Sequence, residues 1–160
     1  MFRPSRHCRK VLTAALVVMA LLTLGAGQSA AQSVSVEPRR DLLFGRVGTG
    51  DIPGSVTVSA AGVKTTTGGV VDMGKNTRAA QFRISGPRDA TVYITLPTTA
   101  TISGGGRTAT LSHFTMDVTN PVTLPRTGRL NFNVGATLTL GTNLPAAEYT
   151  GNFDVYVDLQ

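Results

Sequence analysis

Cysteine, tryptophan and histidine are nearly absent from this chain, which has one cysteine, no tryptophan and two histidines. A zinc site usually needs several cysteine or histidine ligands, and a histidine base needs a positioned partner. Beyond its first ten residues the chain keeps only His113 from this set. We therefore expect no metal, cofactor, disulfide or thiol chemistry. His113 is predicted to lie on a strand or bulge, facing solvent or a hydrogen-bond partner.

Long hydrophobic runs are also scarce, and the one that stands out is Val11 to Leu24. It precedes the small and polar residues 25–31 and follows four basic residues, Arg3, Arg6, Arg9 and Lys10. A positive start, an apolar centre and a small-residue cleavage site are the layout of a secretory signal peptide. The run is shorter than the roughly 20 apolar residues that a membrane-spanning helix needs. The sequence predicts a helical signal peptide over 1–31, cleaved after Ala31, with a retained membrane anchor as the alternative.

Basic residues outnumber acidic ones by fifteen to nine, but the imbalance belongs mainly to the start of the chain. Residues 1–31 hold four of the basic residues, none of the acidic ones and the only cysteine, Cys8. Their removal would leave one domain, 32–160, of 129 residues with a net charge of +2. Nucleic-acid binding rests on clustered positive charge, so we expect no nucleic-acid partner. We expect an exported protein of the periplasm, cell surface or extracellular space, which meets the membrane only through its signal peptide.

Helical periodicity is missing from residues 32–160, and short alternating apolar runs recur instead between glycine, proline, asparagine and aspartate. These runs predict about eight or nine strands in an all-β sandwich or barrel without a domain boundary. Leu111 is out of phase with Phe114, which predicts a bulge near Ser112 and His113. A tight turn is expected at residues 104–106. The runs are Val34–Val36, Leu42–Val47, Val56–Val58, Phe82–Ile84, Val92–Leu96, Phe114–Val118 and Leu130–Leu140.

The last thirteen residues, Glu148 to Gln160, carry the clearest alternation in the chain. Their polar parity contains Asn152, Asp154, Tyr156 and Asp158, and their apolar parity contains Tyr149, Phe153, Val155, Val157 and Leu159. Successive side chains of a strand point to opposite faces, so the pattern predicts one long strand with an apolar and a polar side. Chain ends usually fray. A terminal strand of this quality is expected to dock within its own fold or with another chain.

Motifs that carry chemistry are weak. Gly69 to Lys75 matches the first seven positions of a phosphate-binding loop, but Asn76 stands where serine or threonine would hold magnesium. We interpret this stretch as a glycine-rich hairpin connection. The acidic residues are scattered, with no spacing that suggests a catalytic pair or a calcium loop, and we expect no enzyme. Tyr93 and Tyr156 lie on polar parities, where tyrosines pack across strands or stack on a sugar or a partner.

A series of short motifs follows a fixed order from Leu43 to Val157: Leu43-Phe44-Gly45, Gly68-Gly69, Ala79-Ala80-Gln81-Phe82, Gly86, Tyr93-Ile94-Thr95-Leu96-Pro97, Val134-Gly135-Ala136-Thr137-Leu138 and the stretch from Glu148 to Val157. In order and spacing this series resembles the bacterial domain-of-unknown-function family 4402. Glu148 stands where the family pattern often has glycine. The resemblance covers nearly all of residues 32–160.

The resemblance implies an exported protein without known catalytic residues, related to fimbrial subunits and spore-coat-like domains. It implies an immunoglobulin-like or pilin-like antiparallel β-sandwich, closed by the C-terminal strand. In chaperone–usher pilins a periplasmic chaperone, and then a neighbouring subunit, supplies a missing strand. On that pattern the candidate strand-pairing residues are Tyr149, Phe153, Val155, Val157, Leu159, Val34 and Val36. Val34 and Val36 make a poor donor ahead of Pro38, and they suit an edge strand of their own domain.

These expectations give one main hypothesis and two alternatives. The main hypothesis is an exported, non-enzymatic structural or interaction protein, a fimbrial or surface-coat-like subunit that assembles by strand pairing. Its partners would be a periplasmic chaperone or neighbouring subunits. The first alternative is a self-complete secreted module that binds a ligand such as carbohydrate. The second is a small outer-membrane barrel, although its strands of about 9–11 residues would exceed most of the runs here.

Overall fold

The computed structural model describes residues 33–74 and 76–160, which form strands, turns and loops. The predicted signal peptide lies outside these residues. Nine strands have four residues or more and three have two, so the expected all-β class and strand number are confirmed. The strands are β1 (Ser35–Arg40), β2 (Leu43–Phe44), β3 (Val47–Val58), β4 (Lys64–Asp72), β5 (Thr77–Arg78), β6 (Ala80–Ser85), β7 (Thr91–Thr95), β8 (Thr99–Gly104), β9 (Arg107–Met116), β10 (Val122–Thr123), β11 (Arg129–Leu140) and β12 (Tyr156–Leu159).

Strand β11 is the central strand of the larger, seven-stranded sheet. Its first half pairs with β6 and its second half pairs with β3, while β9 pairs with its opposite edge. The sheet extends outward to β1 beyond β6, β4 beyond β3 and β8 beyond β9, and every pairing is antiparallel. Gly135 marks the junction of the two halves. A Cβ there would lie 2.2 Å from the carbonyl oxygen of Val58, so only glycine allows both partners to share this edge.

A smaller sheet has the order β10-β7-β12. Strand β7 is its centre and pairs antiparallel with the terminal strand β12. On the other side of β7 the side chain of Asn120 extends the two-residue strand β10. Its Nδ2 donates to the carbonyl oxygen of Ile94 at 2.7 Å, and its Oδ1 accepts from the Ile94 N–H at 2.9 Å. An amide side chain thus replaces the backbone pair that a longer β10 would have made.

The two sheets pack face to face over one of two hydrophobic clusters. We call this cluster the Phe132 core; it consists of Ala80, Phe82, Ile84, Val92, Ile94, Leu124, Phe132 and Val134. The second cluster, the Leu138 core, consists of Val56, Val70, Ile102, Ala109, Leu111, Ala136, Leu138 and Leu140. All the residues of the Leu138 core lie on strands of the larger sheet. The side chains that pack against it come from outside the smaller sheet: Leu42, Leu144 and Tyr149 lie in loops, and Phe44 lies in β2, which forms a two-stranded sheet with β5.

The β3–β4 hairpin is sharply bent. If β4 were straight, Lys64 and Asp72 at its two ends would lie about 26 Å apart, because a strand rises roughly 3.3 Å per residue. Instead, Lys64 Nζ lies 2.6 Å from Asp72 Oδ1. The bend lies at a β-bulge between Thr49 and Gly54. Our interpretation of Gly69 to Lys75 as a hairpin connection was wrong for Gly69 to Asp72, which belong to β4. Threonine and glycine, rather than alternating apolar residues, fill that edge strand, so its periodic signal is weak.

Three local predictions from the sequence can be compared with the structure. The bulge in β9 is confirmed, with His113 exposed at φ 51° and its Nδ1 3.0 Å from the Ser112 hydroxyl. The tight turn between β8 and β9 is also confirmed, with positive φ at Gly105 and Gly106. The prediction of one long terminal strand was wrong in extent, because only Tyr156–Leu159 forms a strand. The cause lies in the path of the segment, described below.

Candidate functional site

The C-terminal segment, Glu148–Gln160, runs beside two successive strands of different sheets. Near its start Thr150 exchanges backbone hydrogen bonds of 2.8 and 3.0 Å with Ser103 of β8. Near its end β12 pairs with β7, in the register Tyr156 to Thr95 and Leu159 to Val92. The register differs by two residues between these contacts, because β7 and β8 belong to different sheets. The segment therefore cannot remain one regular strand, although it stays docked at both ends.

The middle of this segment has unpaired backbone. Among the hydrogen bonds of the described residues, none involves a backbone group of residues 151–155. The alternation of exposure nevertheless continues through them, with Asn152 and Asp154 exposed and Phe153 and Val155 half-buried. Alternation of this kind is that of an extended chain. Residues 152–155 thus form an extended stretch whose backbone makes no hydrogen bond to a described strand, whereas Gly151 packs closely against Thr101 and Ile102 of β8.

The residues predicted for strand pairing all point into the protein. Tyr149 packs against the Leu138 core, and its hydroxyl donates to the carbonyl oxygen of Pro145 at 3.2 Å. The other six are half-buried against the Phe132 core: Val34, Val36, Phe153, Val155, Val157 and Leu159. The parity prediction for the terminal segment is therefore confirmed. Phe153 has the closest aromatic contacts, with ring centroids 5.8 Å from Phe82 and 5.1 Å from Phe114.

Strand β1 is the edge that faces the C-terminal segment. It pairs with β6 on one side only, and it lies beside β12 without forming a pair with it. Val36 and Ser35 match Ile84 and Ser85 in register, while a bulge follows Pro38. The proposed intramolecular role of Val34 and Val36 thus agrees with the structure, since both contribute to their own domain's core.

A groove of about 1280 Å³ opens between β1, the β2 region and the C-terminal segment. Its floor is apolar and is formed by Phe82, Ile102, Leu111, Leu138 and Leu140. Its walls are residues 40–47 on one side and 144–155 on the other. Sites for drug-sized ligands usually measure about 300–1,000 Å³. The groove is larger than that and lies over the part of the Leu138 core that the smaller sheet does not cover.

The matching family model identifies the chain. It is described as a domain of unknown function, DUF4402, and it matches residues 34–159, from β1 to the end of β12. The chain belongs to the DUF4402 family. No curated protein and no solved structure matches it.

The groove of this DUF4402 domain brings together four of the seven predicted pairing residues, Val36, Tyr149, Phe153 and Val155. Val34, Val157 and Leu159 lie beyond its end, where β1 and β12 approach each other. Sequence reasoning missed the groove floor and the wall formed by residues 40–47. The floor residues come from β6, β8, β9 and β11, so their alternation identifies them as core without indicating that a groove opens above them.

Charged side chains line the rim of the DUF4402 groove rather than its floor. Arg40, Asp41 and Arg46 lie on one wall, and Glu148 and Asp154 lie on the other. Within residues 33–74 and 76–160, no three histidine, cysteine, aspartate or glutamate side chains group in a way that could hold a metal ion. No helix of the described residues is long and apolar enough to cross a membrane. The arrangement offers an apolar surface beside unpaired backbone, which suits binding of an extended chain.

Proposed function

We propose that this DUF4402 protein is an exported, non-enzymatic structural or interaction subunit whose groove receives a β-strand from another polypeptide. The observation that supports this proposal is that two features lie next to each other in the structure. Residues 152–155, whose backbone groups make no hydrogen bond among the described residues, border a groove lined by half-buried apolar side chains such as Leu42, Phe44 and Leu144. Strand addition needs both features, because backbone hydrogen bonds supply affinity and apolar pockets take alternate side chains.

The cellular location that we propose is inferred from the sequence. The pattern of residues 1–31 supports export, and the domain then acts in the periplasm, at the cell surface or outside the cell. A strand-supplying partner in that setting is a periplasmic chaperone or a neighbouring subunit of a surface fibre or coat. An edge with unpaired backbone next to apolar side chains is a known route to association between chains. Such an edge needs a partner that covers it.

One observation favours a second candidate, a self-complete secreted binding module. Val36 of β1 and the preceding Val34 pack against their own domain's core, so the described N-terminal strand already completes the larger sheet. On this candidate the protein is a stable monomer without a partner. The exposed tyrosines Tyr93 and Tyr156, on the outer face of the smaller sheet, would then be the contact residues for a ligand such as carbohydrate.

An appended strand tests the main proposal. An Asn-Gly turn after Gln160, followed by a strand that alternates valine and threonine, would lead a chain back along the outer edge of the C-terminal segment. Three buried valines contribute about 1.5–3 kcal/mol each before the cost of ordering the added chain. We expect the melting temperature to rise by at least about 5 °C, measured by circular dichroism.

The matched control is an appended strand of equal length in which serine replaces each valine. It keeps the backbone and the turn but has no apolar side chains for the groove floor. Equal melting temperatures for the two fusions would contradict the strand-receiving proposal. In that case, a monomer of the unmodified protein in size-exclusion chromatography would favour the self-complete module.

A further inference from the structure

We propose that two neighbouring turns of the domain bind an acidic polysaccharide, whose carboxylates are contacted by Arg88, Arg126 and Arg129. The turns are residues 85–90, which follow β6, and residues 124–129, which lead into β11. We call them together the arginine end. None of their residues lines the groove, so this surface is separate from the strand-receiving site and its role goes beyond the proposed function.

Backbone hydrogen bonds hold the two turns of the arginine end together. Gly86 N–H donates to the Gly128 carbonyl oxygen at 2.9 Å, and Leu124 N–H donates to that of Ala90 at 2.8 Å. The second turn is also closed on itself, because Gly128 N–H donates to the Pro125 carbonyl oxygen at 2.8 Å. The arginines of both turns are therefore carried on one connected piece of backbone.

The net charge of the domain is concentrated at the arginine end. This end holds three basic residues and one acidic residue, Asp89, which gives +2. The remainder of residues 32–160 holds eight basic and eight acidic residues, whose charges cancel. Arg88, Arg126 and Arg129 are exposed, and within residues 33–74 and 76–160 none of them forms an ion pair. Their guanidinium groups are therefore available to an anion from outside the domain.

Carboxylates and hydroxyl groups are the ligand chemistry that this surface matches. A guanidinium group presents its donors as a planar fork, which binds a carboxylate through two parallel hydrogen bonds. Thr127 in the second turn and Thr123 just before it are also exposed. Their hydroxyl groups both donate and accept, as sugar hydroxyl groups do. A polymer of uronic acids offers carboxylates and hydroxyl groups side by side along its length.

Two other classes of polyanion match the arginine end less well. Anionic lipid surfaces are bound by clusters of about four to eight basic residues or by inserted apolar side chains. The arginine end has three arginines, and it contains none of the large hydrophobic side chains that are exposed among the described residues. Single-stranded nucleic acids stack their bases on aromatic side chains, and residues 85–90 and 124–129 include no aromatic residue.

Immobilised polygalacturonate tests the proposal, with its methyl ester as the matched neutral polymer. The protein is the full chain, purified after export. We expect it to bind the acid and not the ester, and to bind more weakly at about 200 mM than at about 50 mM salt, because salt screens exposed charges. Equal binding to acid and ester would overturn the proposal. Tighter binding to anionic lipid vesicles or to single-stranded DNA than to polygalacturonate would overturn it as well.

Replacement of the three arginines by glutamine tests whether the arginine end is the binding site. We expect the triple variant to bind polygalacturonate at least about threefold more weakly, since each exposed ion pair contributes about 1.4- to 5-fold. A second triple variant is the matched control, because it loses the same charge at exposed positions elsewhere. It carries Arg39→Gln, Arg78→Gln and Arg107→Gln. It should bind as the unmodified protein does, and an equal loss in both triple variants would overturn the proposal.

A pair of single variants provides the same comparison if the triple variant does not fold. Arg126→Gln and Arg107→Gln each remove one exposed arginine in or next to a turn. We expect Arg126→Gln to bind polygalacturonate about 1.4- to 5-fold more weakly than Arg107→Gln. Equal affinities of these two variants would overturn the proposal. None of these outcomes bears on the groove, whose strand-receiving role is tested by the fusion proteins.

Discussion

Phe153 is the side chain at which the two layers and the groove meet. It approaches Phe82 of β6 edge-on at 70° and Phe114 of β9 at 46°, and it also lines the groove. Such aromatic pairs contribute about 0.5–1.5 kcal/mol beyond the area that they bury. The C-terminal segment is thus held to the larger sheet by side-chain packing where its backbone hydrogen bonds are missing.

Replacement of Phe153 by aspartate should prevent accumulation of soluble protein, because it removes these contacts and places a charge against the Phe132 core. Val155→Asp should have the same effect. The matched control is Tyr156→Asp, an aromatic on the opposite parity with 62% of its surface exposed. The measurement is the yield of soluble protein from equal cultures. Normal yields of Phe153→Asp and Val155→Asp would contradict the assignment of these residues to the core.

At the scale of elements, the bent β3–β4 hairpin depends on glycine at particular positions. A Cβ on Gly54 would lie 2.3 Å from the carbonyl oxygen of Thr67, and one on Gly68, at φ +64°, would lie 2.4 Å from that of Pro53. These contacts are with backbone atoms, which cannot rotate away as a flexible side chain could. The two strands therefore approach too closely at the bend for any other residue.

The substitution Gly54→Ala should lower the free energy of unfolding by about 1–3 kcal/mol, since the added methyl overpacks the bend. Gly141→Ala is the matched control, because a Cβ there would meet no atom within 4 Å. Its effect should stay within about 0.5 kcal/mol. Urea denaturation of the two variants measures both values. A stability of Gly54→Ala equal to that of Gly141→Ala would show that the bend relaxes freely.

The two ends of β4 are joined by one ion pair, which makes the hairpin sensitive to acid. The Lys64 ammonium and the Gly74 N–H donate to Asp72 Oδ1 at 2.6 and 2.8 Å, and together they lower the pKa of Asp72 below its ordinary value. A lowered pKa in the folded state stabilises the fold above the unfolded pKa, and this contribution is lost as pH falls through the folded pKa.

Asp72→Asn should therefore lower stability at neutral pH and make it less dependent on pH below about 4, where the unfolded carboxyl titrates. Asp154→Asn, at an exposed position without a hydrogen bond among the described residues, is the control and should leave both unchanged. Thermal melts from pH 7 to pH 2 provide the comparison. Parallel stability curves for unmodified protein and Asp72→Asn would rule out the contribution of this pair.

At the scale of the whole molecule, the seven-stranded and three-stranded sheets differ in size and only one core lies between them. Strands of the smaller sheet have two to five residues, whereas β3 and β11 have twelve each. The smaller sheet therefore covers the Phe132 core, and loops cover part of the Leu138 core. The groove is a consequence of this mismatch in length, and the candidate site is a property of the arrangement of the layers.

Alternation in the sequence predicted most of the strands, the β9 bulge and the inward parity of Phe153, Val155, Val157 and Leu159. These features depend on neighbours along the chain, because the direction of a side chain in a strand repeats every two residues. Strand β4 was missed, since its threonines and glycines lie at a sheet edge where little apolar surface is buried. The groove was also missed, because its floor comes from four strands that are distant in sequence.

By itself the sequence determined an all-β domain in which the C-terminal segment has one apolar side. Only the tertiary structure decided that this segment runs beside β8 and then β7, and that the two-residue change of register leaves residues 151–155 unpaired. The order of residues alone determines which side chains alternate between the two faces of a strand. The pairing of backbone groups depends instead on which strands become neighbours, and those neighbours are set by the packing of the two sheets.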